Sequence, residues 1–473
     1  MIFILSLLAI LFGLLTGIVT GLTPGIHVNV VAALMVAFYS ASLSNIDLTL
    51  VIAIFVVSVS IAHAFFDYIP SLFLGIPGDS VYALLPGQKL IKQGDGGEAL
   101  RLSLEGSWRG LIYAFFIALG LIILSFVGLD LLEIMEDKIK PFLFWILLAI
   151  SLVLIFDERK KGKLLWATII FCLSGLFGII TLGTPLVPGG SSSAFSVLFP
   201  ALSGLFGISG LLLSLFDDTA SLPPQKPDIS LKLSSSSVNT SSLLGTLSGM
   251  AVGLLPGLGS ANAAALLLLI TGNQKNESSD KLYIVTTSAI QASDTLFGVT
   301  ALYFIEKSRS GASVAIQSVL GQISPWQVLI IILVMGLVGF LSRLIILNSW
   351  QFFIRAINFF NYQSLTIAVI IFITILVLLT TGFWGLMVLL AATSLGILPP
   401  TIGVRRSQMM GFFLIPVMLF FSGLQEPIVN ILHLQAKISP APTVSISQIV
   451  QSLVISFLIA LIAYFIGNLK NKN

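Results

Sequence analysis

The chain has 473 residues, of which 56% are hydrophobic and 9% are charged, and its formal net charge is +3. A soluble protein of this length does not need so much apolar surface, so the composition predicts an all-α membrane protein with many crossings of the bilayer. The small net charge argues against a nucleic-acid partner. The single cysteine, Cys172, excludes an internal disulfide bond and a cysteine metal cluster.

The first predicted element is a helix from Ile2 to Leu22, which lacks the basic start and the cleavage site of a signal peptide. We therefore expect a first membrane helix. The pattern G-x-x-x-G-x-x-x-G-x-x-P-G occupies residues 13–25. Glycines four residues apart form a smooth stripe on which another helix can pack closely. The Pro-Gly pair ends the helix, because proline has no N–H to donate and disfavours helix at the preceding residue.

An apolar run that begins at Leu48 carries His63 and Asp67, which are spaced i, i+4 and can meet on one helix face. Ionisable groups at membrane depth are costly and usually functional, so this pair is predicted to relay protons or bind a coupling ion. The alternative is a pair at the membrane interface, anchored by Tyr68 and Pro70.

Asp79 and Ser80 follow a second interruption, Gly75-Ile-Pro-Gly78. We expect the carboxylate and the hydroxyl to bind a coupling ion or a proton. The alternative is that Asp79 caps the following helix. Asp294 and Thr295 are expected to stand at the matching place in the second half, with the same role and the same alternative.

The pattern of residues 13–25 occurs again at residues 245–257, and such a recurrence marks an internal repeat. We predict an N-terminal repeat at 1–216, a polar linker at 217–241 and a C-terminal repeat at 242–473. The loop at 157–163 is basic, whereas its counterpart at 380–384 has no basic residue. This opposite distribution of basic residues in matching loops predicts inverted repeats. We expect that glycine and proline break some of the helices and that some are re-entrant.

The two Pro-Gly breaks are the predicted substrate site. Free N–H groups and positive helix dipoles after each break suit a carboxylate, and freed carbonyl groups suit Na⁺. The alternative is a packing kink without a ligand. The predicted substrate-binding residues are Pro24, Gly25, His27, Asn29, Pro256, Gly257, Gly259 and Asn262. Arg405 and Arg406 could bind a carboxylate, but a topology anchor is the favoured interpretation.

Several motifs together resemble the large membrane subunit of the tripartite tricarboxylate transporters, the TctA family, and are most similar to its archaeal branch. The matching pieces are Gly21-x-x-Pro24-Gly25, Ile76-Pro77-Gly78, Gly253-x-x-Pro256-Gly257-x-Gly259, Pro399-Pro400 and Gly403-Val-Arg405-Arg406-Ser407-x-Met409-Met410-Gly411. The resemblance spans nearly the whole chain. It implies a multi-pass permease of the plasma membrane that works with a small membrane subunit and an external solute-binding protein.

The expected function is a secondary-transporter permease for a small organic anion, a di- or tricarboxylate, coupled to Na⁺ or H⁺. No catalytic residue, bound metal or cofactor is expected apart from Na⁺ as one option for the coupling ion. One alternative is an intramembrane enzyme that uses His63 and Asp67, although the sequence has no G-x-S-x-G or H-E-x-x-H motif. The other is a membrane subunit that is inactive without partner proteins.

Overall fold

A computed structural model provides the fold. It describes residues 2–23, 48–74, 84–129, 142–183, 197–215, 224–226, 233–254, 277–304, 311–359 and 362–432, together with a few isolated residues between them. Within these ranges every regular element is a helix, as the composition predicts.

The first half of the chain contributes helices with the following bounds: α1 Ile2–Leu22, α2 Thr49–Phe66, α3 Tyr68–Leu74, α4 Leu84–Lys92, α5 Gly96–Phe126, α6 Leu143–Asp157, α7 Leu164–Gly183, α8 Leu198–Leu202 and α9 Ser209–Ser214. A 3-10 turn at Glu158–Lys161 follows α6, and a π-helical turn at Ser203–Ile208 joins α8 to α9.

The second half contributes α10 Ser235–Leu254, α11 Glu277–Phe304, α12 Gly311–Leu320, α13 Pro325–Phe359, α14 Tyr362–Ile402, α15 Gly411–Ser422 and α16 Gln425–Ile431, with a 3-10 turn at Arg406–Met410 before α15. α14 is kinked at Gly382, where φ is 68°. α10 begins inside the segment predicted as a linker, because the Ser234 hydroxyl accepts a hydrogen bond from the Ser237 N–H and caps the helix.

Six of these helical segments are long and apolar enough to cross a membrane, and a seventh crossing results if the bent pair Arg406–Ser422 and Gln425–Ile431 counts as one span. The six are Ile2–Leu22, Thr49–Phe73, Gly96–Phe126, Leu164–Leu182, Pro325–Phe353 and Thr381–Ile402. The prediction of a polytopic helical membrane protein is therefore confirmed. Repeat inversion stays a prediction.

The helices divide into two compact units, and each unit takes segments from both halves of the sequence. Unit 1 comprises Met1–Glu136 and Asp218–Leu365, and unit 2 comprises Asp137–Asp217 and Thr366–Asn473. Each half thus gives its first part to unit 1 and its second part to unit 2.

In unit 1 the repeated glycine stripe packs against the next long helix in both copies. A Cβ atom added at Gly13 on α1 would lie 2.6 Å from Ser58 Cβ on α2, and one at Gly21 would lie 2.7 Å from Phe66 Cβ. Real Cβ atoms do not approach so closely, so the backbones can meet only where glycine stands.

The same arrangement recurs in α10 and α11. A Cβ atom at Gly245 would lie 2.7 Å from Ala289 Cβ, and one at Gly253 would lie 2.8 Å from Phe297 Cβ. Both copies of the predicted glycine stripe therefore serve helix packing at matching places.

Long helices of each half also pack on the other half within unit 1. On α5, a Cβ atom at Gly110 would lie 2.7 Å from Ala289 Cα of α11. Correspondingly, Gly339 on α13 faces Leu111 of α5 and Ile61 of α2. In unit 1, helices of the first half of the sequence are thus packed directly on helices of the second half.

In unit 2, too, glycines lie where helices of the two halves of the sequence pack on each other. A Cβ atom at Gly204 would lie 2.5 Å from Ala392 Cβ on α14, and one at Gly411 on α15 would lie 2.6 Å from Ser174 Oγ on α7. A cluster of buried apolar residues, which includes Ala201, Ala392 and Phe412, fills the space between these helices.

Segment 403–410 is fixed to unit 2 by polar contacts. The buried Glu158 carboxylate accepts a hydrogen bond from the Arg405 backbone N–H at 3.1 Å and lies 3.7 Å from its guanidinium. Lys163 Nζ donates to the carbonyl groups of Ile402 and Gly403 at 2.6 and 3.1 Å, which satisfies the C-terminal end of α14. Part of the basic loop predicted to set topology therefore also holds this segment in place.

The buried amide of Gln408 adds a further contact, because its Nε2 donates to the Leu154 carbonyl at 2.8 Å. Ser174 Oγ lies 3.2 Å from the carbonyl oxygens of Gln408 and Met409. The turn that precedes α15 is thus bonded to both α6 and α7.

Replacing Gly17 with Ala is expected to lower the stability of the purified protein by about 1–3 kcal/mol, the usual cost of overpacking. The added methyl group would collide with Ala62 and with the Val59 carbonyl. Thermal unfolding in detergent measures this effect. Gly120→Ala is the matched control, because no atom lies within 4 Å of its added Cβ and alanine favours helix. Equal melting temperatures for the two variants would contradict the proposed packing role.

Replacing Glu158 with Ala is expected to destabilise the protein by about 2 kcal/mol, a value discounted for the partial exposure of Arg405. The carboxylate is fully buried, and its loss leaves the Arg405 N–H without this acceptor. Glu426→Ala, at an exposed carboxylate, is the control. A double-mutant cycle with Arg405→Ala measures the coupling, and a coupling energy near zero would show that the pair does not matter.

Candidate functional site

Most of the predicted site residues lie outside the described ranges. These are the substrate residues Pro24, Gly25, His27, Asn29, Pro256, Gly257, Gly259 and Asn262, and the ion-coupling residues Asp79 and Ser80. The structure does describe His63, Asp67, Asp294 and Thr295.

The first glycine stripe ends where the sequence predicts. α1 terminates at Leu22, and its last turn is closed by the Thr23 N–H, which donates to the Val19 carbonyl at 3.0 Å. The described part of α10 ends at Leu254, at the matching place. In the first copy the helix therefore ends directly before the Pro-Gly pair.

His63 lies on α2 against the last turns of α1. Its side chain is buried, and its Nδ1 atom lies 3.1 Å from Thr20 Oγ1. The Thr20 hydroxyl also donates to the Gly17 carbonyl at 3.3 Å. A titratable ring is therefore hydrogen-bonded to the helix that ends at Leu22.

Asp67 follows one turn later, at the junction of α2 and α3, and is also buried. Its backbone N–H donates to the His63 carbonyl at 2.8 Å, and a Cβ atom at Gly21 would lie 3.1 Å from the Asp67 nitrogen. Both residues therefore face α1. Tyr68, named as an anchor in the interfacial alternative, is 2% exposed and therefore buried within the protein.

The second copy places Asp294 on α11 beside α10. A Cβ atom at Gly249 would lie 3.0 Å from the Asp294 nitrogen, just as one at Gly17 would lie 3.1 Å from the His63 nitrogen. This register makes Asp294 the counterpart of His63, whereas the sequence suggested Asp79. The half-buried Asp294 side chain thus stands where the first copy has an imidazole.

Asp294 does not cap a helix. It lies in the interior of α11, which runs from Glu277 to Phe304, so the capping alternative is wrong for this residue. Its neighbour Thr295 donates its hydroxyl to the Gln291 carbonyl at 2.9 Å, as threonines inside helices often do.

Two polar residues of this region had no role in the sequence analysis. Thr20 was missed because it lies within an apolar helix, and its partner His63 is 43 residues away. Gln291 is 6% exposed, and its Oε1 atom finds no hydrogen-bond donor in the described part of the chain. Gln291 could have been identified from the sequence by its position one helical turn before Asp294.

Arg405 and Arg406 lie in unit 2, away from these residues in sequence. Arg405 pairs with Glu158, and Arg406 donates from Nη1 to the Phe206 carbonyl at 3.3 Å. Both interactions are internal to unit 2, which favours a structural role for the pair over a carboxylate site.

Residues 7–411 of the chain match the Tripartite tricarboxylate transporter TctA family. An uncharacterized protein of Methanocaldococcus jannaschii is 30% identical over 376 residues, which cover 78% of this chain and 88% of that relative. No solved structure matches the chain. The chain belongs to the TctA family, and it is therefore an integral membrane component of a tricarboxylate transporter and not an enzyme.

Proposed function

We propose that the chain is the permease that carries a small organic anion, a di- or tricarboxylate, across the membrane together with H⁺ or Na⁺. The observation that carries this proposal is the bond from His63 to Thr20 at the broken end of α1. Asp294 at the matching place in the second half supports it, because each half then has at least one ionisable group beside the helix that carries the glycine stripe. The expected alternative of an enzyme based on His63 and Asp67 is excluded by the family.

The substrate is proposed to bind at the two breaks that follow α1 and α10. Helix N-termini that begin after a break offer unpaired N–H groups and a positive dipole end, both of which attract a carboxylate. The proposed ligands remain Pro24, Gly25, His27, Asn29, Pro256, Gly257, Gly259 and Asn262. Glycine at these places lets the substrate approach the backbone closely.

Coupling is proposed to act through the ionisable groups beside the breaks. Protonation of His63 adds a positive charge within hydrogen-bond reach of Thr20, and this changes the electrostatic field at the end of α1. Asp294 with Thr295, Asp67, and Asp79 with Ser80 are the proposed sites for the cation or a second proton. Occupation of these groups would then bias the two access states of the carrier.

Partner proteins follow from the family. Tripartite transporters use a substrate-binding protein and a small membrane subunit in addition to the large membrane subunit. We propose that this chain works with one partner of each kind, with the external protein delivering the anion to the breaks.

Replacing His63 with Gln is expected to reduce gradient-driven uptake at least tenfold, as an order-of-magnitude estimate for the loss of a proton-transfer group. Glutamine can still donate to Thr20 but cannot carry a proton. The measurement is uptake of labelled citrate and succinate by proteoliposomes under separate pH and Na⁺ gradients, with and without the partner subunits. Asp294→Asn should also reduce uptake. Glu426→Gln is the control.

The pattern of losses identifies the coupling ion. Loss of pH-driven uptake in His63→Gln, with substrate binding retained, supports proton coupling. Loss of Na⁺-driven uptake in Asp294→Asn supports a sodium site. Normal uptake in both variants under both gradients would refute the proposed coupling groups.

Replacing Gly257 or Gly25 with Val is expected to abolish uptake while membrane insertion is unaffected, because a branched side chain prevents close approach to the backbone at the break. Gly120→Val is the matched control, since an added Cβ there meets no atom within 4 Å. Uptake is compared at equal amounts of folded protein. Full activity of both break variants would exclude the broken-helix site.

A further inference from the structure

Glu105 on α5 forms ion pairs with three arginines. Its Oε1 atom lies 3.0 Å from Arg101 Nη2 and 2.7 Å from Arg343 Nη2, and its Oε2 atom lies 3.2 Å from Arg109 Nε. The carboxylate itself is almost fully buried, with its side chain 5% exposed. Three guanidinium groups therefore surround one carboxylate, and the cluster has an excess of positive charge.

Other ion pairs in the described part of unit 1 join one basic to one acidic side chain. Lys281 pairs with Glu98 at 3.0 Å, Lys226 pairs with Asp95 at 2.8 Å, and Lys89 pairs with Asp280 at 3.0 Å. Within the described ranges, the Glu105 cluster is the place where three cations share one acidic side chain. Since uncompensated charge is costly in a protein, an additional anion would stabilise this arrangement.

The three arginines differ in how completely their N–H groups are used. Arg109 also donates to the Ser235 carbonyl at 3.1 Å and to Asn239 Oδ1 at 2.6 Å, so it ties α5 to α10. In contrast, the buried Nε atoms of Arg101 and Arg343 have no acceptor among the described residues. Arg101 and Arg343 therefore have hydrogen-bonding capacity left over, and their side chains are 26% and 20% exposed.

The cluster lies where α5 changes from apolar to polar. The apolar stretch of α5 from Gly110 to Phe126 covers about 25 Å, which approaches the hydrocarbon thickness of a bilayer, about 30 Å. Because Gly339 of α13 faces Leu111 of α5, Arg343 lies beside the polar end of α5, while α13 itself stays apolar as far as Phe353.

Aromatic side chains support this placement. The half-buried Trp108 lies beneath the Arg343 guanidinium at 6.0 Å and stacks near Phe340 at 5.7 Å. Trp326, near the start of α13, is 74% exposed. Tryptophan is enriched at both interfaces of a membrane, which supports a position of the cluster near the lipid headgroups.

We propose that Arg101 and Arg343 form a binding site for the phosphate group of an anionic membrane lipid. Glu105 lies between the two guanidinium groups and offsets one of their charges, and Arg109 joins the site to α10. Basic pockets between membrane helices bind lipid phosphates in this way, and guanidinium groups suit the planar edge of an oxyanion. The same chemistry would accept a soluble phosphate or carboxylate, but the headgroup level of the cluster favours a lipid.

The test reconstitutes the protein in nanodiscs of phosphatidylcholine with increasing phosphatidylglycerol and counts retained phosphatidylglycerol by native mass spectrometry. Arg101→Gln and Arg343→Gln are each expected to weaken retention about fivefold, the effect of one basic residue near an anionic surface. Arg355→Gln is the matched control on α13, because Arg355 is exposed and donates to the Gln351 carbonyl of its own helix. It should retain lipid like the unmodified protein.

Glu105→Gln distinguishes a lipid site from an internal ion-pair network. It removes the competing carboxylate, so retention of phosphatidylglycerol should stay equal or increase, whereas a purely internal network predicts no lipid dependence in any variant. Displacement of lipid by millimolar inorganic phosphate or citrate would assign the site to a soluble anion and overturn the lipid proposal. Equal retention in Arg343→Gln, Arg101→Gln and Arg355→Gln would also overturn it. If Arg343→Gln does not fold, the comparison of Arg101→Gln with Arg355→Gln tests the proposal, because the Arg101 side chain is the more exposed of the two.

Discussion

Where two helices of this protein meet most closely, a glycine faces the neighbouring backbone, and the location of many buried polar groups follows from that contact. Gly17 and Gly21 bring α2 so close to α1 that His63 and Asp67 lie against the last turns of α1. Gly249 places Asp294 beside α10 in the same way. A side chain at any of these glycines would separate the helices and carry the ionisable groups away from the breaks. Packing and the proposed coupling chemistry therefore depend on the same residues.

The family motif at residues 403–411 serves the fold of unit 2 in the described structure. Its glycine at 411 allows α15 to approach Ser174, and its Arg405 and Gln408 are bonded to Glu158 and to the Leu154 carbonyl. A motif that characterises a transporter family need not contact the transported molecule. In this chain it fixes the entry of α15, and the proposed transport chemistry lies in unit 1.

Sequence reasoning could predict the elements but not their partners. Glycine spacing predicted that α1 and α10 each pack closely on a neighbouring helix, and the Pro-Gly pair predicted the end of α1, because these effects are local. The capping alternative for Asp294 was wrong, since the helix continues through this residue to Phe304. Contacts such as Glu105 with Arg343 or Arg405 with Glu158 join residues far apart in sequence, and many small-residue faces could have served as partners equally well. The residues of the breaks themselves stay a prediction.

The packing of first-half helices against second-half helices has a consequence for biosynthesis. Arg343 follows Glu105 by 238 residues, and Gln408 follows Ser174 by 234 residues. At a translation rate of about 5–20 residues per second, the second partner emerges roughly 10 to 50 s after the first. During this interval Glu105 can pair with Arg101 and Arg109 of its own helix, but Arg343 and the turn at Arg406–Met410 have not yet been made. The contacts that join the two halves within each unit therefore form only when the last third of the polypeptide is made.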